Sequence, residues 1–120
     1  FLKLPKKVIT SITEFLNELE EKPLIVLIFG SFAKENYTGS SDIDILLVFQ
    51  KVSNQGNIEN TAKRISMRTN TRLSPVYVDY ENFEKNFLNK SHEFSNEIRQ
   101  NVIILAGIEH YYHLSWRFFE

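Results

Sequence analysis

The chain has no cysteine. That excludes a disulfide framework and any thiolate-bound zinc, and it fits a reducing compartment, so the cytoplasm is the expected location. Nor is there a surplus of charge of either sign, because 14 Lys and Arg against 15 Asp and Glu leave a formal net charge of -1. So even a balance advertises no wide electrostatic footprint for nucleic acid and favours a small-molecule or protein substrate. Long apolar runs are missing too. The longest, Leu24 to Phe29 and Val102 to Ala106, are far too short to cross a bilayer. No basic-then-apolar signal segment opens the sequence, and a soluble protein without a membrane partner is expected. The first residue is Phe1 rather than Met, as in a fragment or a processed chain. What is present suits one globular domain over 1–120: 120 residues, 42% hydrophobic and 24% charged, can bury a continuous core without disulfides or a structural metal.

Apolar residues Val8, Ile9, Ile12, Phe15, Leu16 and Leu19 recur at helical spacing, which predicts an amphipathic helix from Pro5 to Glu20. Leu24 to Phe29 is a continuous branched apolar run stopped by Gly30, the pattern of a strand buried on both faces. A short helix over Phe32 to Asn36 and a strand over Asp42 to Phe49 should follow, the strand acidic at its entrance and apolar in its body. Lys51 to Asn57 is polar and reads as a loop, after which Ile58, Ala62 and Ile65 mark a third helix. Leu73 to Val78 is a third strand. Pro75 cannot donate to a ladder, so this strand either lies at a sheet edge or begins near that proline. Asp79 can cap a helix carrying Phe83, Phe87 and Leu88, and Ser91 can restart it for Phe94 and Ile98. Val102 to Ala106 is a last strand. From about residue 108 the aromatics Tyr111, Tyr112, Trp116, Phe118 and Phe119 show no clear period but are too apolar for a free tail. The alternation of helices and strands argues an α/β sandwich on a small sheet.

Chemistry concentrates between Gly30 and Asp44. A glycine directly after a buried strand lets the backbone turn sharply, and it leaves no side chain to block a phosphate approaching the amides. Ser31 adds a hydroxyl at that mouth, and Lys34 either faces solvent or meets a phosphate there. Asp42 and Asp44, two apart on a strand, point to one face, so their carboxylates can share a pair of divalent ions. Hard oxygen ligands favour magnesium or manganese. Two such ions would clamp the attacking and leaving oxygens of a displacement at phosphorus.

Gly30-Ser31, a short spacer and Ser41-Asp42-Ile43-Asp44, in strand, turn, helix, strand order, resemble the signature of the DNA polymerase β-like nucleotidyltransferase superfamily. Within it, the minimal nucleotidyltransferases are the nearest subgroup. The similarity covers the order of elements from the first helix to about Gly107. It implies an α/β (α+β) nucleotidyltransferase fold, a small mixed sheet flanked by helices. It also implies binding of a nucleoside triphosphate with Mg2+ or Mn2+, and transfer of a nucleoside monophosphate to a hydroxyl, with ATP the expected donor from its abundance. By position, Gly30, Ser31 and Ser41 belong to the phosphate side and Asp42 and Asp44 to the metal.

Active members of that superfamily usually bring a third acid from the following strand, as metal ligand and general base. Here Ser74, Val76 and Val78 share one face of Leu73 to Val78, while Pro75, Tyr77 and Asp79 share the other. Asp79 is the only acid nearby. It serves either as the missing base or as the cap of the next helix.

Resembling proteins often act on a partner protein as the antitoxin half of a toxin–antitoxin pair, or follow a DNA-binding helix-turn-helix. The alternatives are a catalytically weak nucleotide-binding module regulating a partner or attached domain, and an interaction domain forming a homodimer through the aromatic tail. His92, His110 and His113 lack ligand spacing with a second carboxylate and read as surface or core histidines. Lys63, Arg64, Arg68 and Arg72 form a basic cluster, either a solvated face or a surface for a polyanionic acceptor.

Overall fold

A computed structural model describes residues 4–119. Ten elements follow one another: α1 (Lys6–Glu18), β1 (Ile25–Phe29), α2 (Gly30–Lys34), β2 (Ile43–Phe49), α3 (Gln55–Thr69), β3 (Leu73–Asp79), α4 (Tyr80–Phe87), α5 (Glu93–Gln100), β4 (Ile103–Ala106) and α6 (Ile108–Phe119). The strands form one sheet in the order β3, β2, β1, β4. β1 runs antiparallel to β2 and β4, and β2 parallel to β3, so the sheet is mixed. All five residues of the central β1 are buried, which is why it is apolar without alternation. β3 lies at an edge, where Pro75 is tolerated.

Two apolar layers cover the sheet. On one face α1 and α3 pack Val8, Ile12, Phe15, Ile58 and Ile65 against Val26, Ile28, Ile45 and Leu47. On the other, α4, α5 and α6 pack Phe83, Phe87, Ile98, Tyr111 and Leu114 against Ile25, Leu27, Leu46 and Val48. Phe15 and Phe87 are fully buried on opposite faces, and truncating either to alanine should cost about 3–5 kcal/mol.

Several boundaries differ from the sequence expectation for local reasons. α1 stops at Glu18 because Lys22 Nζ donates to the carbonyls of Leu16, Asn17 and Leu19, at 2.8, 3.0 and 3.0 Å, closing the last turn. α3 begins at Gln55, inside the stretch expected as loop, because the Asn54 side chain accepts from Asn57 N at 3.0 Å and caps it. α2 begins at Gly30, earlier than expected. α5 is capped by His92, whose Nδ1 accepts from Ser95 N, so the restart expected at Ser91 falls one residue later. The aromatic stretch from 108 is a helix. Its period is hidden because Tyr111 and Leu114 face the core while Ile108, Tyr112, Trp116 and Phe119 stand in solvent, leaving both sides apolar.

Candidate nucleotide and metal site

β1 delivers Gly30 to the rim of the sheet, and the antiparallel register sets Phe29 opposite Asp44. Gly30 adopts φ +69, a conformation that disfavours a side chain. It also lacks room for one. A β-carbon there would overlap Oδ2 of Asp44 and lie 3.0 Å from its Cγ. The glycine therefore does two things at once, turning the backbone into α2 and leaving space for the Asp44 carboxylate against its α-carbon. Ser31 follows, half-buried in the first turn of α2, and its carbonyl accepts from Asn36 N at 3.1 Å.

Asp42 and Asp44 flank Ile43, which is buried among α1 and α3 residues. Their side chains therefore share the opposite face of β2. Ser41 holds the approach to this pair. Its hydroxyl accepts from Thr38 N at 2.8 Å while its own N–H donates to the Thr38 carbonyl at 3.2 Å, closing a tight turn before β2. Burial pushes the Asp44 carboxyl above the ordinary aspartate range, and the negative charges of Asp42 and then Glu97 add to the shift. Negative charge thus gathers around the half-buried Asp44, which has no ion pair of its own among the described residues, an arrangement suited to a hard divalent ion. Two carboxylates alone do not complete a coordination shell, and no group of three such ligands occurs among the described residues. Phosphate oxygens of a bound nucleotide would fill the remaining positions.

Two further groups face this region. Arg72 Nε is 3.1 Å from Asp42 Oδ1, and its guanidinium also donates to the Ser40 carbonyl. Glu97 of α5 pairs with Lys34 at 3.0 Å, so the lysine that the sequence offered to a phosphate is held by an acid. Sequence reasoning passed over Glu97. Only the packing of α5 against the end of β1 brings it there, seen in the edge contact of Phe94 with Phe29 at 5.0 Å between ring centres. Arg72 was legible only as part of a basic cluster, and that cluster divides: Arg64 pairs with Glu18, and Arg68 with Glu14 and Glu18.

Asp79 does not join the cluster. In the parallel pairing of β2 with β3 it stands beside Phe49, whereas Ser74 stands beside Asp44. That puts it about 16 Å along the strand from Asp44, on the opposite face. It occupies the N-cap position of α4 without a side-chain capping bond, and its Oδ1 instead accepts from Val52 N at 2.6 Å. No acid of β3 therefore faces Asp44. His92 caps α5, and His110 packs edge-on to Tyr80.

Sheet order, glycine turn and paired aspartates together define a nucleotidyltransferase fold. The family described as polymerase beta, nucleotidyltransferase matches residues 10–105, and the chain belongs to it. No curated protein gives a significant match. Among solved structures, a toxin–antitoxin complex with AMP-PNP aligns at a TM-score of 0.67 with 12% identity, covering 96% of this chain and 85% of that one. A mutant of the toxin–antitoxin MntA-HpeT with two aspartates changed to glutamate aligns at 0.63 with 11% identity, covering 92% and 82%. A tyrosine-to-alanine mutant of the same pair aligns at 0.52 with 18% identity, covering 90% and 89%. At these identities the likeness is one of fold. No helix among the described residues is long and apolar enough to cross a membrane.

Proposed function

We propose that the chain binds a nucleoside triphosphate with magnesium at Gly30, Ser31, Asp42 and Asp44, and transfers adenylate from ATP to a hydroxyl on a partner protein. The observation that carries this reading is the contact of Gly30 with Asp44: one position lacks a side chain both to turn the backbone and to admit a carboxylate that has no ion pair among the described residues. In the transfer, the acceptor oxygen bonds to the α-phosphorus as the α–β bridging P–O bond breaks, pyrophosphate leaves and the hydroxyl proton passes to water. Bound magnesium supplies charge neutralisation of the phosphates and of the departing pyrophosphate. The chain's own part is to fix the phosphates at the glycine turn and to hold the metal through Asp42 and Asp44. Ser41, whose hydroxyl closes the turn directly before Asp42, borders the phosphates in this reading.

A protein acceptor is favoured by two observations. The similar folds come from toxin–antitoxin complexes, and α6 presents an apolar stripe fit to be covered: Ile108, Tyr112, Trp116 and Phe119 are 57% to 78% exposed. A second reading, a nucleotide sensor with little transfer, is favoured by Ser74 of β3 and by Arg72 just before it, which stand beside the aspartates in place of a carboxylate. Calorimetry with Mg-ATP tests the shared part of both readings. Binding should be present in the wild type and lost in the Asp42→Asn, Asp44→Asn double variant, and undiminished binding in that variant would overturn the site. Incubation with labelled ATP and a co-purified partner separates the two readings by whether label reaches protein.

A further inference from the structure

Behind the metal site, around the rim of the sheet, lies a cavity of about 450 Å³. Its walls are the first turn of α1 (Pro5, Lys7, Val8), the turn from Tyr37 to Ser41, and the α3–β3 connection from Asn70 to Arg72. Ile43 and Phe32 line it from the core side. The volume suits a small molecule up to a mononucleotide. The body of the cavity lies on another face than the aspartates, since Ile43 faces α1 and α3 while Asp42 and Asp44 face the other way, and Ser41 and Arg72 form the border between the two.

The chemistry of the lining is one-sided. It carries two cations, Lys7 and Arg72, and no acid. Lys7 forms no ion pair among the described residues, whereas Lys34, Arg64, Arg68 and Arg117 each have an acidic partner. Thr38, Ser40, Ser41 and Thr71 contribute hydroxyls, and Asn70 an amide. Tyr37 stacks on Phe32 at 4.5 Å, giving the cavity an aromatic wall. An ammonium, a guanidinium and several hydroxyls without a carboxylate select an anion, and the fork of arginine suits a phosphate in particular.

We propose that this cavity binds a small phosphate ester through Lys7 and Arg72, with the Tyr37 side receiving its organic part, and that the ligand competes with Asp42 for Arg72. Arg72 forms the shared wall, reaching Asp42 on one side and the Ser40 carbonyl beside the cavity. A phosphate drawn to Arg72 leaves the Asp42 carboxylate free for a divalent ion. By linkage, a divalent ion at Asp42 frees Arg72 for the phosphate, so each strengthens the other. Occupancy of the cavity stands apart from the nucleotide reading. Only the coupling to metal rests on it.

The test is calorimetry on metal-free protein with inorganic phosphate and, separately, AMP. Saturable one-to-one binding is expected, weakened at least about tenfold in Lys7→Glu by loss of a charge-assisted contact. Binding should persist in Gly30→Val, which removes the nucleotide site, so failure of the cavity and failure of the nucleotide reading are told apart. Circular dichroism confirms that each variant is folded, and Lys7→Gln provides a milder second variant. Equal binding by Lys7→Glu and wild type, or no heat with either probe at millimolar concentration, would overturn the proposal. AMP bound more tightly than phosphate supports the aromatic wall as part of the site, and equal affinities overturn that part. For the coupling, manganese affinity should rise when phosphate is present in the wild type and stay constant in Arg72→Gln. A rise of the same size in Arg72→Gln sinks the competition for Arg72.

Discussion

Ser74 stands directly beside Asp44 across the parallel pairing of β2 with β3, on the face that carries both aspartates. A carboxylate at this one place would complete a three-acid site, and the chain puts a hydroxymethyl group there instead.

Ser74→Asp should therefore strengthen manganese binding and raise nucleotidyl transfer by roughly a hundredfold, the usual worth of a positioned general base. Calorimetry and transfer of labelled adenylate measure the two effects. Fast transfer by the wild type with no gain in the variant would mean that the proton leaves by another group.

Gly30→Ala tests the glycine turn with the smallest possible side chain. Positive φ alone should cost about 1 kcal/mol, and the added carbon must push the Asp44 carboxylate away. The variant is expected to fold, with a slightly lower melting temperature, and to lose Mg-ATP binding. Normal binding would show that neither the turn nor the seat of Asp44 matters to the ligand.

Asp44 should leave a mark on the pH dependence of stability. Its carboxyl is raised by burial and by Asp42 and Glu97, so the folded state holds this proton more tightly than the unfolded chain does. Its contribution is then most favourable below the ordinary aspartate pKa, and it is lost as pH climbs through the raised value. Asp44→Asn should accordingly melt higher than wild type at neutral pH without ligand, with the gap closing in acid. Magnesium with ATP should stabilise the wild type alone. Melting curves between acid and neutral pH check the sign, and a variant less stable than wild type at neutral pH contradicts it.

Asp79 should behave as a strut of the β2–α3 loop. Because its Oδ1 accepts from Val52 N, Asp79→Asn keeps an acceptor and should be nearly silent, whereas Asp79→Ala should cost about 1 kcal/mol. Neither should alter Mg-ATP binding or transfer. A transfer defect in Asp79→Asn with unchanged stability would return this residue to the catalytic machinery.

The sheet and the grouping of Gly30, Asp42 and Asp44 at its rim were legible because they depend on short-range signals. A branched apolar run stopped by Gly30 marks a buried strand ending in a turn, and two aspartates flanking one isoleucine can only share a face of β2. Pro75 left an edge strand or a later strand start as the two possibilities for the same local reason, and the structure shows the first. What escaped notice depends on distant packing. Glu97 reaches the site only because α5 lies against the end of β1 through Phe94 and Phe29. The role of Arg72 depends on strand register, and its neighbours Arg64 and Arg68 are spoken for by acids of α1. The last helix was hidden by its own composition, since a helix apolar on both sides has no stripe to read.

Pro75 has a consequence beyond its place in the sheet. The Arg72 carbonyl accepts from Ile43 N at 2.7 Å, so the backbone groups of Arg72, and by alternation of Ser74, Val76 and Val78, point toward β2. Those of Leu73, Pro75 and Tyr77 point outward. The missing proline N–H thus interrupts the free border of the sheet at its middle, where an incoming strand from another molecule would need a donor. Growth by strand addition is discouraged along this border, and the opposite one, β4, is only 4 residues long. The borders of the sheet thus resist fibre-like stacking, and most of the exposed large apolar side chains among the described residues lie instead on α6.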